Sequence, residues 1–276
     1  MERDRTQTPL TDYEPWLTTW QLTPSGAGFA THTSKLLPVM HGRRPAMLKV
    51  TTHPEEVSGS VVMRWWAGVG AARVLTFDDT ACLLERATGT ASLARMASTG
   101  ADEEATAVLC RVAALLHAQD PADRPAVVLT LEEWFRELWP VAVARGGLYG
   151  RAAQEAERLL GTQTDRVVLH GDLHHDNVLD FGERGWLAID PKGLYGERTF
   201  DYVNLLRNPE DQSAQAVERL AGRVVHVARL ASVEARRLLE WTVAFTGLSA
   251  AWIANDGDEP VLDLAIAGAA LGLLDG

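Results

Sequence analysis

One run of residues constrains this chain more than any other: Val167-Val168-Leu169-His170-Gly171-Asp172-Leu173-His174-His175-Asp176-Asn177-Val178-Leu179. Apolar segments suited to buried strands bracket a loop crowded with ionisable side chains. Past Asn177 a second short apolar run, Trp186-Leu187-Ala188-Ile189, ends in Asp190-Pro191. A carboxylate at the end of a buried strand is costly unless it is paired, protonated or bound to a cation. Asn177 and Asp190 offer hard oxygen ligands, the kind Mg²⁺ takes when it holds a polyphosphate. Asp172, five residues before Asn177, is then free to orient an attacking hydroxyl and accept its proton.

The rest of the chain divides around residue 86. Before it, mixed Thr, Trp, Phe and Val segments predict short strands over 16–22, 29–39, 46–50, 72–77 and 81–85. A helix is expected from Pro54 to about Trp66, with Glu55 and Glu56 in its first turn. After Gly89 apolar residues recur at helical spacing, predicting helices over 103–117, 131–145 and 148–160. A β interlude follows over 166–190, and the remainder reads as helical. The fold class is therefore α+β: a small antiparallel β-rich lobe with one helix (1–86) and a larger, mainly helical lobe (87–276). A cleft between such lobes is a favoured ligand site.

Composition excludes several classes. The net charge is −11, which argues against a nucleic-acid partner, since that needs a basic stripe. Most of the excess falls after residue 85, where 18 basic residues face 28 acidic ones, and an acidic surface suits a cationic ligand. Cys82 and Cys110 have no metal-binding spacing and suggest no disulfide framework, so a reducing cytoplasm is expected. Residues 264–274 form the longest apolar stretch, about half of what a bilayer span needs. The Met1-Glu2-Arg3-Asp4-Arg5 start lacks the apolar core of a secretion signal. A metallohydrolase is disfavoured because the other histidines (His32, His41, His53, His117, His226) form no cluster with His170, His174 and His175. Nucleophile-elbow and Walker-type phosphate motifs are absent.

His-Gly-Asp-x-x-x-x-Asn followed by Ile-Asp-Pro resembles the catalytic loop and metal-binding segment of the aminoglycoside phosphotransferases, small-molecule relatives of protein kinases. The resemblance implies a protein-kinase-like bilobal fold, with Asp172 as catalytic base and Asn177 and Asp190 as Mg²⁺ ligands. It implies ATP as phosphate donor, with GTP as the alternative. Lys35, Lys49 and Lys192 are the only lysines. Lys49, inside Ala-Met-Leu-Lys-Val, falls where the family binds the nucleotide phosphates, with Glu56 as its partner and Glu55 as the alternative. Glu85 and Ala87 fall at the hinge that meets adenine, and Ser34 follows a turn containing Gly26 and Gly28.

Leu187-Ala188-Ile189-Asp190-Pro191-Lys192-Gly193-Leu194-Tyr195-Gly196-Glu197, with Phe200-Asp201 and Leu248 to Trp252, is similar to the streptomycin 6-phosphotransferase and hydroxyurea phosphotransferase branch. That likeness implies a small, cationic antibiotic as acceptor, a monomer or weak dimer, and hydroxyurea or a metabolite as the alternative substrate. A non-catalytic nucleotide-binding module on this fold is less consistent with the presence of Asp172, Asn177 and Asp190 together. Streptomycin carries two guanidinium groups, so carboxylates and aromatic faces should receive it. Glu197, Trp252, Asp256, Asp258 and Glu259 are the candidates. Asp201 is expected to brace the catalytic loop, and Lys192 sets a cation beside the metal-binding acid.

Overall fold

Alternating side chains along two strands settle how the β-rich part is layered. The computed structural model describes residues 6–51, 53–209 and 213–276. Its elements begin with β1 (Gln7–Thr8), α1 (Glu14–Thr19), β2 (Leu22–Pro24), β3 (Gly28–Ala30), β4 (Lys35–His41) and β5 (Arg44–Val50). Then come α2 (Pro54–Trp66), β6 (Val74–Phe77) and β7 (Ala81–Glu85). The strands pair antiparallel in the order β1-β3-β4-β5-β7-β6, with β2 also on β4. Ala46 and Leu48 of β5 and Ala81 and Leu83 of β7 join Tyr13, Leu22, Leu37 and Val39 in a small core. Cys82 and Leu84 point the other way, into a large core with Val62, Met63 and Trp66 of α2. Lys49 sits opposite Cys82 in the β5–β7 ladder. Side chains alternate along a strand, so Lys49 is carried to the α2 side.

The expected strand over 16–22 is a correction. Glu14–Thr19 form a helix with a proline in its first turn, where the missing N–H costs nothing. Trp16, Leu17 and Trp20 pack against the small core from there. The expected strand over 29–39 is likewise two strands, β3 and β4, joined by a turn.

The second part contains α3 (Leu93–Ser98), α4 (Asp102–His117), β8 (Leu129–Thr130), α5 (Leu131–Trp134), α6 (Leu138–Arg145) and α7 (Gly147–Leu160). The expected helix over 131–145 is thus interrupted, by a 3₁₀ turn at Phe135–Glu137. Pro140 explains the restart, because a proline is tolerated in a first turn but not mid-helix. A capping box between Thr130 and Glu133 starts α5.

Next come β9 (Arg166–Leu169), β10 (Val178–Asp180), β11 (Trp186–Ala188) and β12 (Leu194–Glu197). β12 lies where helix was expected, antiparallel to β9 and parallel to β8. The chain ends in α8 (Val203–Arg207), α9 (Ser213–Ala231), α10 (Ala235–Asn255) and α11 (Val261–Asp275). α10 is the central helix, buried at every position from Leu238 to Ala251. Among the described residues no helix is long and apolar enough to cross a membrane.

Candidate active site

The β10–β11 hairpin sets the two predicted metal ligands side by side. Val178 pairs with Ala188, and just outside that pair the Ile189 N–H donates to the Asn177 carbonyl at 2.9 Å. Asp190 follows at once, in the left-handed region at φ +61°. That conformation is uncommon outside glycine but tolerated by Asp.

The loop from His170 is braced from within the fold. Asp201, 2% exposed, accepts the backbone N–H groups of His170 (2.9 Å) and Gly171 (2.7 Å), and lies 2.7 Å from His117 Nε2. Burial alone would raise the Asp201 carboxyl, but these bonds outweigh it and hold the group below the usual range. The expected loop-bracing role of Asp201 is therefore what the geometry displays. His170 Nδ1 accepts the Asp172 N–H at 3.2 Å, so Nε2 carries the proton and donates to the Ile189 carbonyl at 2.9 Å. One imidazole thus ties the Asp172 segment to the Asp190 segment.

Asp172 is steadied by amides. Asn177 Nδ2 donates to its carbonyl oxygen at 2.9 Å and to Oδ2 at 3.3 Å, while Asn204 Nδ2 donates to Oδ1. Burial in the loop lifts the Asp172 carboxyl to about 6, against the pull of His170 and Lys192. Asn204 was not foreseen: it lies on α8, 32 residues from Asp172, and no local spacing announces it.

From β5, Lys49 Nζ bonds both Glu56 and Asp190. Burial works against its charge, but the two carboxylates outweigh it and leave Lys49 raised. Asp190 is correspondingly held down, to about 2: burial raises it and the Lys49 ammonium lowers it further. The side chain of Glu55, the alternative partner, lies outside the described residues. Glycine makes the approach of α2 feasible: a Cβ on Gly59 would stand 2.2 Å from the Pro191 carbonyl oxygen. Glu56 Oε1 also accepts from Thr33 Oγ1 at 3.0 Å, and Lys192 Nζ stands 3.6 Å from the same oxygen.

The remaining candidates divide. Ser34 caps the β3–β4 turn through its backbone: its carbonyl oxygen accepts from Thr31 N, and its own N–H donates to Thr31 Oγ1; its buried Oγ has no hydrogen-bond partner among the described residues. Glu85 donates its N–H to the Arg73 carbonyl, and its carboxylate accepts from Arg73 N and Arg184. That N–H is thus held within the fold. Ala87 packs against the large core.

Glu197 is a second correction. It is 2% exposed and bonded by Arg237, Trp241 Nε1 at 3.0 Å and Thr164 N at 3.4 Å. A carboxylate so enclosed acts as a structural anchor. Trp252 stands edge-on to Trp134, ring centroids 5.3 Å apart, and Asp256, Asp258 and Glu259 are exposed after α10. His174 accepts the Asp176 N–H through Nδ1 at 3.3 Å. His175 is 1% exposed with neither ring nitrogen hydrogen-bonded among the described residues, and burial pushes it down to about 3.

Among the described residues no group of three His, Cys, Asp or Glu side chains could hold a metal by itself, which fits a site whose remaining ligands come from a polyphosphate and water. The Asn177 amide nitrogen is spent on Asp172, so its carbonyl oxygen is the free end. With Asp190 it makes a hard oxygen pair suited to Mg²⁺.

A family model described as "Aminoglycoside/hydroxyurea antibiotic resistance kinase" matches residues 19–257. The chain is 46% identical over 265 residues to streptomycin 3''-kinase of Klebsiella pneumoniae, covering 93% of this chain and 99% of the relative. It is 33% identical to streptomycin 6-kinase of Streptomyces glaucescens, covering 88% of this chain and 82% of that one. A thermostable mutant of aminoglycoside phosphotransferase APH(4)-Ia, solved with ADP and hygromycin B, superposes with a TM-score of 0.64 at 14% identity. That match covers 95% of this chain and 97% of the other, and it establishes the shared fold.

Proposed function

The chain belongs to the aminoglycoside/hydroxyurea antibiotic resistance kinase family, and on that premise we propose that it transfers the γ-phosphate of ATP to the 3''-hydroxyl of streptomycin. The observation that carries the reaction type is the convergence, from positions 49 to 204, of one amide-steadied carboxylate and one lysine-bound carboxylate on a single cleft. The identity with the 3''-kinase, 46% against 33% for the 6-kinase, favours the 3'' position over the 6-hydroxyl.

In this reading Asp172 sets an acceptor hydroxyl in line with the γ-phosphate and takes its proton. Asn177 and Asn204 fix the plane of that carboxylate, so it meets the hydroxyl already oriented. Lys49, steadied by Glu56, binds the nucleotide phosphates. Mg²⁺, held by Asn177 and Asp190, would neutralise phosphate charge in the bound complex. Phosphoryl transfer passes through a loose transition state, so positioning and electrostatics matter more than base strength. Trp252, Asp256, Asp258 and Glu259 are the side chains we assign to the cationic acceptor. We place the nucleotide between residues 1–86 and 87–276, and the enzyme in the cytoplasm as a monomer or weak dimer.

The test is product analysis after incubation with Mg²⁺, ATP and streptomycin, with hydroxyurea and other aminoglycosides in parallel. Fragmentation should find the added phosphate on the N-methylglucosamine ring. Phosphate on the streptidine ring would move the assignment to the 6-hydroxyl. Transfer to hydroxyurea alone would remove the aminoglycoside from the proposal.

A further inference from the structure

Lys192 places a second cation beside Lys49, Asp172 and Asp190. Its backbone N–H donates to the His170 carbonyl at 2.8 Å, laying residues 190–193 along the start of the catalytic loop. A Cβ on Gly171 would stand 3.1 Å from Lys192 Cβ. The lysine stem therefore runs past the residue that immediately precedes Asp172. Its ammonium lies 3.6 Å from Glu56 Oε1, with the side chain 23% exposed, and its charge bears on both Asp172 and Asp190. Glu56 already accepts from Lys49 and Thr33.

We infer that Lys192 is a further catalytic residue whose ammonium binds the γ-phosphoryl group during transfer, leaving Lys49 to the phosphates nearer the nucleoside. The inference rests on the reading of the cleft as a nucleoside triphosphate site. In the step, a bond forms between the acceptor oxygen and phosphorus while the bond from phosphorus to the β–γ bridging oxygen breaks. The hydroxyl proton goes to Asp172 and ADP leaves with the electron pair. Lys192 stays protonated throughout and contributes only its charge. Location separates the two lysines: Lys49 hangs from the sheet and Lys192 lies against the loop that carries Asp172. Charge aimed at the group in transit counts more in the transition state than in the bound nucleotide.

The experiment titrates Mg²⁺-ADP and Mg²⁺-AMP-PNP into the unmodified protein, Lys192→Met and Lys192→Arg, with a thermal melt of each. Lys192→Met should lose about tenfold or more in AMP-PNP affinity, as expected for one charged hydrogen bond, and keep its ADP affinity. Its kcat should fall about 10²-fold, while Lys192→Arg keeps most of the preference for AMP-PNP. Equal weakening towards both nucleotides would mean that Lys192 only props Glu56, and unchanged AMP-PNP affinity would also overturn the assignment. Should the unmodified protein bind neither nucleotide, the failure lies with the triphosphate reading itself.

Discussion

Asp172 is oriented by two asparagine amides, one from its own loop and one from α8. That arrangement gives it a job that depends on geometry as much as on basicity. Asp172→Ala is expected to lose turnover by about 10²-fold or more, the range for a positioned general base, while Mg²⁺-ATP affinity stays near that of the unmodified protein. Equilibrium nucleotide titration beside single-turnover kinetics checks both halves, and retained turnover would remove Asp172 from the mechanism. Asp172, Asn177 and Asp190 were legible because their spacing is local, and Lys49 because a charge inside an apolar strand asks for a reason. Asn204, Thr33 and the proximity of Lys192 to Glu56 were not legible. Each is brought in from a distant part of the chain, where no periodicity links it to the loop. Glu197 was misread for the same reason: Arg237 and Trp241, which enclose it, lie 40 and 44 residues away.

The strands and helices set how tolerant the site is of change. α2 carries Glu56 and lies so close to the Pro191 carbonyl that only glycine fits at position 59. Gly59→Ala should push α2 outward, costing about 1–3 kcal/mol as overpacking does and raising the KM for ATP more than it lowers kcat. Urea denaturation with nucleotide-dependent kinetics reads both effects. β12 ends in Glu197, whose burial would raise its carboxyl; the bonds from Arg237 and Trp241 outweigh this and lower it. A group lowered in the folded state stabilises above its unfolded value, about 4.3 for Glu, and that contribution is lost as pH falls through the folded value. Glu197→Ala should therefore cost about 3–5 kcal/mol at neutral pH, because it strands a largely buried guanidinium, and should flatten the acid limb of the stability curve. Its KM for streptomycin should not move; a large change there would return Glu197 to the acceptor site. The long helices were legible from their apolar spacing. α1 and β12 were not, since each is only a turn or a few residues long and is settled by what it packs against.

At the scale of the whole molecule, the change from strand to helix after Glu85 follows the sequence, but the packing does not respect that border. Val62, Trp66 and Leu84 share one core with Leu109, Leu169 and Ala188. Ala71 forms a parallel bridge with Ala188, and Arg184 reaches back to Glu85 and to the Gly68 carbonyl at 2.8 Å. Val62 meets Gly193 so closely that a Cβ there would stand 2.7 Å from its methyl group. In regulated protein kinases the corresponding lysine–glutamate pair is made or broken by moving a helix, often under control of phosphorylation. Here the helix has no slack to swing, since it is wedged against the segment that bears Asp190. Folding alone is therefore expected to switch such an enzyme on. Protein treated with a phosphatase should turn over as fast as untreated protein, and a loss of activity would reveal a hidden switch. A defence that works at the first encounter with a drug, with no upstream signal to wait for, is what a permanently closed latch of this kind provides.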